Sequence, residues 1–256
     1  VLWSHSGSVY EFEGDEIPDS ITVTRDMNEL IDTDCWLIAT PARYFRETMQ
    51  KSRDFYDCKP IIICSKGIEP TTNKFMSEIL NEEIPECEDY GVLSGPQFAR
   101  EAVMCVPTGT TLAGNETAIE CGKTAISNMY IEETDDVIGA EVCGVGKNAC
   151  ALIAGYASVK ASGENEKALI LTCAWNEVVK FGAADGAKPE TYLALCGLGD
   201  LFLSATSATS RNFAAGVAIA RDEPIIGTVE GISALNGLVK RANERNVEIP
   251  FLTDMR

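Results

Sequence analysis

The chain is predicted to be an α/β protein in which a doubly wound sheet is followed by an all-helical second half. Two observations predict this. Short apolar runs bounded by Gly or Pro recur in the first half, as in strands buried on both faces of a parallel sheet. Apolar residues at helical spacing dominate the second half, where strand patterns are nearly absent. The change of pattern near Gly139 predicts two domains, residues 1–138 and 139–256.

The individual elements follow from these patterns. Strands are predicted at residues 35–40, 60–65, 90–94, 110–113 and 129–132. Helices are predicted between them at residues 26–31, 44–51, 73–80 and 117–127. The helical half begins with an apolar helix over residues 147–160, followed by helices at 166–181, after Pro189 and at 232–243.

Composition excludes several classes of function. With 39 acidic and 21 basic residues the net charge is −18, which repels nucleic acid and anionic membranes. No apolar run approaches the about 18 residues that span a bilayer, so no membrane insertion is expected. The ten Cys lack CxxC or zinc-type spacing, which predicts small buried reduced thiols and a cytoplasmic location. His5 is the only His, so neither a His-based metal site nor a His general base is expected.

Three strand ends in the first half carry turn residues that suit a ligand site. They are residues 39–42, 65–69 and 94–99, which hold Gly, Pro and small residues together with the cation of Lys66. Ligands of open α/β sheets bind beyond the carboxyl ends of the strands. Each turn alone is explained by ordinary turn chemistry, but three on one edge favour a site.

The helical half contributes further polar residues. Lys147 lies at a glycine-rich start of a predicted helix, where the helix dipole and partial burial would lower its pKa and make it a proton donor. A solvated lysine in a first turn is the alternative. Ser210, Arg211 and Asn212 could clamp a phosphate at a helix start, although Ser210 could simply cap that helix. Thr228 and Glu230 precede the final helix, where plain capping is the alternative.

The motifs GxxKN, GLGDL, SxxSRN and VEG, in this order, resemble the glycerol-3-phosphate dehydrogenases that use a nicotinamide cofactor. LSGPQFAREA, PTGTTLAGN, SKGIE, IATPARYFRE and VLWSH in the first half are similar to segments of the same family. The resemblance implies a Rossmann domain followed by a helical substrate domain. It also implies reversible hydride transfer between NAD(P)H and dihydroxyacetone phosphate, giving sn-glycerol 3-phosphate, a glycerolipid precursor. A homodimer is a further implication of the family.

The resemblance also assigns roles to residues. Lys147 corresponds to the catalytic lysine that gives a proton to the substrate carbonyl, and Asp200 would hold the substrate hydroxyl or Lys147. Substrate contacts are implied for Lys66, Gly95, Gln97, Ser210, Arg211 and Asn212. Cofactor contacts are implied for His5, Pro41, Lys66, Ala99, Arg211, Thr228 and Glu230. The cofactor is NAD or NADP, and His5 after the second strand favours NADP weakly. No metal is implied.

The sequence departs from the family at its start. The family begins with a strand and a glycine-rich turn whose amides hold the cofactor pyrophosphate, and neither precedes Val1. We therefore expect this chain to be a fragment lacking roughly 25 residues at its start. Residues 1–256 alone are expected to bind cofactor weakly or not at all, which calorimetric titration with NADH would test.

Two other functions remain open from the sequence. A dehydrogenase of the β-hydroxyacid type also places a catalytic lysine on the first helix of its second domain. Ser210, Arg211 and Asn212 after GLGDL favour the phosphorylated triose instead. A non-catalytic relative that binds sugar phosphates is the second alternative. Lys147 and Asp200 argue against it, since a sensor needs no proton donor.

Overall fold

The computed structural model describes residues 20–126, 128–225, 227 and 229–256. Within them, five strands form one sheet in the order β1-β2-β3-β4-β5. The strands are β1 (Trp36–Ile38), β2 (Ile61–Ile63), β3 (Tyr90–Ser94), β4 (Gly109–Gly114) and β5 (Tyr130–Thr134). All five strands predicted from the sequence are therefore confirmed.

The sheet is mixed and not wholly parallel. β1, β2 and β3 run parallel, as predicted, and so do β4 and β5, but β3 and β4 are antiparallel. The expectation of a parallel sheet is therefore wrong at this one pair. The segment between β3 and β4 holds only the five-residue helix α3 (Ala99–Val103). That helix is shorter than the crossover helix that usually connects two parallel strands.

Helices fill the rest of the described chain. In the first half they are α1 (Ala42–Ser52), α2 (Met76–Glu83), α3 and α4 (Glu116–Ala125). In the second half they are α5 (Val137–Lys160), α6 (Glu164–Ala184), α7 (Asp200–Thr206), α8 (Arg211–Ala220), α9 (Glu230–Glu244) and α10 (Pro250–Asp254). Single turns of 3₁₀-helix occur at Met27–Leu30, Arg53–Phe55 and Pro189–Leu193, and a π-helix spans Leu195–Gly199. The helical second half is thus confirmed for the described residues.

Helix α5 is the centre of the molecule. It packs against α6, α7, α8 and α9 and also against β3. It begins ten residues before Lys147, where the Asp136 carboxylate accepts a hydrogen bond from the Gly139 amide at 2.9 Å. The prediction that a helix starts at residue 147 is therefore wrong. Gly146 marks a close helix contact instead, since a Cβ there would lie 2.3 Å from Val178 of α6.

The two halves share one buried core, which extends from Trp36 of β1 to Leu252 of α10. β5 ends at Thr134 and α5 begins at Val137, so the predicted division at residues 138 and 139 falls in the first turn of α5. The division into two domains stays a prediction. In the described part of the chain, α5 is long and apolar enough to cross a membrane, but 78% of its most apolar window is buried inside the protein.

All ten cysteines are free thiols. Cys87, Cys143, Cys150 and Cys196 are buried, and four others are partly buried. Cys58 and Cys105 are exposed, so the expectation of buried thiols is wrong for these two.

Candidate functional site

Three side chains that are far apart in the sequence meet at the carboxyl end of the parallel strands. Lys66 follows β2, Asp200 is the first residue of α7, and Lys147 lies in the middle of α5. The Lys66 Nζ is 2.9 Å from one carboxylate oxygen of Asp200, and the Lys147 Nζ is 3.2 Å from the other. Lys66 also donates a hydrogen bond to the carbonyl of Gly95, at 3.2 Å. The structure thus joins four of the predicted site residues.

The Asp200 carboxylate is buried, with 2% of its side chain exposed, and carries two ammonium partners. Burial alone would raise the pKa of Asp200, but the charges of Lys66 and Lys147 outweigh it, so the pKa lies below its usual value. A buried charge needs such partners, because an unpaired carboxylate in the interior would take up a proton instead.

The pKa of Lys147 lies below its usual value, which is the direction that favours proton donation near neutral pH. Burial is the main cause, repulsion from Lys66 adds to it, and the charges of Asp200 and Glu230 oppose it. The predicted direction is confirmed. The predicted cause is wrong in part, because Lys147 lies in the middle of α5 and not beside the dipole of its N-terminus.

Ser204 completes this cluster and was missed by the sequence analysis. Lys147 donates a hydrogen bond to the Ser204 hydroxyl at 3.1 Å, and that hydroxyl donates to Asp200 at 3.3 Å. Ser204 follows Asp200 by four residues, which places both side chains on one face of α7. A helix starting at Asp200 would have been the signal, but no helix was predicted there from the sequence.

A second polar network lies beside Lys147. The amide nitrogen of Asn212 donates to the amide oxygen of Asn148 at 2.8 Å, and Asn148 donates to the Glu230 carboxylate at 3.3 Å. The Asn212 amide oxygen accepts from the backbone N–H of Gly231 at 2.8 Å. Helices α5, α8 and α9 are thereby tied together next to the lysine. Asn148 was noted in the sequence, but no role was assigned to it.

Ser210 and Arg211 stand at the beginning of α8. The Ser210 hydroxyl accepts a hydrogen bond from the Phe213 amide at 3.4 Å, which is the capping role considered from the sequence. Arg211 is the first residue of the helix and is exposed. A guanidinium at a helix N-terminus can hold a phosphate, and this role stays a prediction for Arg211.

The strand ends that form the floor of this region hold hydroxyls suited to a ligand. The side-chain oxygens of Thr40, after β1, and of Ser94, at the end of β3, are buried and without a hydrogen-bond partner among the described residues. Such orphaned groups at strand ends fit a ligand rich in donors and acceptors, as a nicotinamide nucleotide is. Pro41 and Ala99 are exposed and flank this edge as the residue before α1 and the first residue of α3.

The described contacts do not join the predicted site residue Gln97 to the cluster. The Gln97 amide is directed to the sulfur of Met129, at 3.6 Å, and no described contact links it to Lys66 or Lys147. The predictions for His5 and Thr228 lie outside the described residues.

Comparison with known proteins identifies the family. The family model described as the NAD-dependent glycerol-3-phosphate dehydrogenase N-terminus matches residues 5–120, and the corresponding C-terminus model matches residues 136–256. The glycerol-3-phosphate dehydrogenase (NAD(P)+) of Afipia carboxidovorans is 38% identical over 242 residues, which are 93% of this chain and 74% of that protein. The enzyme of the same name from Parvibaculum lavamentivorans is 33% identical over 262 residues, 97% of this chain and 77% of that protein.

Solved structures agree with this result. The crystal structure of glycerol-3-phosphate dehydrogenase from Coxiella burnetii matches with a TM-score of 0.88 and 26% identity, over 96% of this chain and 79% of that one. A ketopantoate reductase from Ralstonia eutropha matches with a TM-score of 0.61 at 13% identity, over 94% of this chain and 78% of that one. The second likeness shows the fold alone.

Proposed function

This chain belongs to the NAD-dependent glycerol-3-phosphate dehydrogenase family, and we propose that it reduces dihydroxyacetone phosphate to sn-glycerol 3-phosphate and catalyses the reverse reaction. The observation that carries the proposal is the cluster of Lys66, Lys147 and Asp200 at the strand ends where α/β folds bind nucleotides. The nicotinamide cofactor supplies the hydride when it is bound.

Lys147 acts as the general acid in the direction of reduction. Its ammonium gives a proton to the carbonyl oxygen as that oxygen gains negative charge, and Lys147 becomes neutral. In the reverse direction neutral Lys147 accepts the hydroxyl proton. Ser204 and Asp200 hold the lysine nitrogen through its other hydrogens, at 3.1 Å and 3.2 Å, so one N–H remains for the substrate.

Lys66 serves both sides of the reaction. Its ammonium donates hydrogen bonds to the Asp200 carboxylate and to the Gly95 carbonyl. These two bonds keep the positive charge of Lys66 at the edge of the sheet. That charge attracts the phosphorylated substrate against the net charge of −18 of the chain. It also keeps the pKa of Lys147 low, because a second ammonium nearby disfavours the charged form.

The substrate phosphate would be held at the start of α8. Arg211 supplies a two-pronged cation, and Ser210 and Asn212 flank it as the residues on either side. Asn212 is already ordered by Asn148 and Gly231, so it is fixed in position before substrate arrives. Ordering of this kind reduces the entropy that binding must overcome.

The cofactor would lie along the strand ends. Pro41, Lys66 and Ala99 lie at that edge, and Arg211 and Glu230 of the helical half would complete the set of cofactor contacts. For His5 and Thr228, a role in cofactor binding is proposed from the resemblance to the family alone. NAD and NADP both fit this set.

The reaction is further proposed to take place in the cytoplasm. Support comes from the ten free cysteines, since thiols persist unpaired in a reducing compartment. The homodimer implied by the family stays a prediction.

A turnover assay with three substrates tests the function. Dihydroxyacetone phosphate, hydroxyisobutyrate and 6-phosphogluconate are each supplied to the complete gene product with the appropriate form of NAD or NADP. We expect turnover with dihydroxyacetone phosphate to exceed the others by orders of magnitude. Preference for hydroxyisobutyrate would support a β-hydroxyacid dehydrogenase. Binding of dihydroxyacetone phosphate without turnover would support a non-catalytic relative.

A further inference from the structure

The π-helix Leu195–Gly199 leads directly into Asp200, so its placement decides where the Asp200 carboxylate lies. Ala194, the residue before the π-helix, has no polar side-chain atom that could accept a hydrogen bond from the first N–H groups of the helix. The first backbone N–H groups of a helix have no partner within the helix and need one from elsewhere. Helices of π type are rare and are frequently found at functional sites.

The sheet supplies those partners. The backbone N–H of Leu195 donates to the Glu132 carboxylate at 2.7 Å, and the N–H of Cys196 donates to the Thr111 hydroxyl at 2.9 Å. Thr111 and Glu132 are directly opposite one another on β4 and β5. The Thr111 hydroxyl also lies 3.5 Å from the Glu132 carboxylate, to which it donates.

This junction is tightly packed. Thr111 is 1% exposed, so its hydroxyl has little access to water as an alternative partner. A Cβ on Gly109 of β4 would lie 2.8 Å from a methyl group of Leu195. Leu195 therefore packs closely over Gly109, and the two hydrogen bonds hold the π-helix against the sheet.

We infer that Thr111 and Glu132 are positioning residues, which hold the π-helix on the sheet and so fix the Asp200 carboxylate between Lys66 and Lys147. The inference rests on the proposed role of Lys147 in proton transfer. Lys66 follows strand β2 of the sheet, and Thr111 and Glu132 on β4 and β5 of the same sheet hold the π-helix that precedes Asp200. The sheet thereby sets the distance between residues that belong to different halves of the chain.

The consequence is measurable through the acidity of Lys147. The charged groups that face it are Lys66, Asp200 and Glu230, and the charge of Asp200 raises its pKa. A carboxylate that is less well placed would raise that pKa less. The rate of reduction would then decline at a lower pH than in the wild type, since protonated Lys147 is required.

The principal variant is Thr111→Val, which has nearly the same shape but no oxygen to accept the Cys196 N–H. We expect kcat to fall by about tenfold, the decline in rate at alkaline pH to move to lower pH, and Thr111→Ser to restore both. Glu132→Gln keeps an oxygen for the Leu195 N–H and should have a smaller effect than Glu132→Ala. If Thr111→Val does not fold, the two Glu132 variants provide the same comparison.

Asn115→Ala is the matched control. Asn115 follows β4 at the opposite end of the strand and accepts a hydrogen bond from the Ala118 N–H at 3.0 Å, which caps α4. Its loss should lower the melting temperature and leave the pH profile unchanged. Equal pH profiles for Asn115→Ala and Thr111→Val would overturn the inference.

Asp200→Asn separates this inference from the proposed function. If Asp200→Asn moves the alkaline decline to lower pH and Thr111→Val does not, the positioning role is wrong and the proposed function stands. If Asp200→Asn leaves the profile unchanged, the assigned cluster does not control the proton, and the positioning inference is overturned together with the proposed role of Lys147.

Discussion

Lys66 and Asp200 form an ion pair of 2.9 Å although 134 residues separate them in the sequence. Lys66 belongs to the sheet and Asp200 to the helical half, so the pair crosses from one to the other. The same carboxylate binds Lys147 with its second oxygen. The site therefore exists only where both halves pack together, and its charges are coupled.

This coupling predicts opposite pH shifts for two variants. Asp200→Asn removes the charge that raises the pKa of Lys147, and Lys66→Gln removes the charge that lowers it. Since reduction needs protonated Lys147, its rate falls as pH rises through that pKa. Asp200→Asn should move the decline to lower pH and Lys66→Gln to higher pH, measured from kcat against pH. Shifts in the same direction would show that another group controls the rate.

Arg211→Ala should mainly weaken binding of the phosphorylated substrate. Loss of a charge-assisted contact to phosphate is expected to raise KM about tenfold or more, with a smaller effect on kcat. Arg221→Ala is a suitable control, because Arg221 is exposed at the other end of α8. Steady-state kinetics with dihydroxyacetone phosphate measure both. Equal KM values for the two variants would rule out Arg211 as the phosphate contact.

Glu141 should make the stability of the protein depend on pH. Its buried carboxylate accepts hydrogen bonds from the amide and hydroxyl of Ser77, at 2.9 and 2.5 Å, and burial raises its pKa from 4.5 to about 7. Because the folded-state pKa is raised, the folded protein favours the protonated Glu141 carboxyl. The contribution of this carboxyl to the free energy of unfolding is complete below pH 4.5 and is lost as pH rises through 7. The shift corresponds to ~3 kcal/mol.

Glu141→Gln removes this titration. The difference in unfolding free energy between wild type and Glu141→Gln should change mainly between pH 4.5 and about 7, in favour of the variant at higher pH. Denaturant unfolding at several pH values measures it, and the other titrating groups cancel in the difference. A difference that stays constant with pH would show that the carboxylate does not have the raised pKa.

The sheet and one edge of the site could be predicted from the sequence. Apolar runs identify strands because every buried strand needs them, and the turns after β1, β2 and β3 meet because parallel strands end on the same side. The position of Lys66 follows from this rule alone. The residues that contact Lys66 cannot be predicted in this way, because the apolar pattern of a strand does not indicate which helix packs over its end.

The features that the sequence did not predict correctly are contacts between secondary-structure elements. Gly144 and Gly146 resemble the residues of a turn, yet they lie inside α5, where a glycine leaves room for Lys66 or for Val178. The partners of Asp200 depend on the packing of the two halves, which local periodicity does not describe. Thr111 and Glu132 read as ordinary strand residues, and their bonds to the π-helix connect positions 63 to 85 residues apart.

Turnover by Lys147→Ala tests the central claim most directly. Lys160→Ala is the matched control, since Lys160 lies on the same helix in its last turn and is exposed. Measured with dihydroxyacetone phosphate, Lys147→Ala should lower kcat by about 10²–10⁴ and raise KM only modestly, while Lys160→Ala behaves as wild type. Turnover close to wild type in Lys147→Ala would contradict the proposed mechanism.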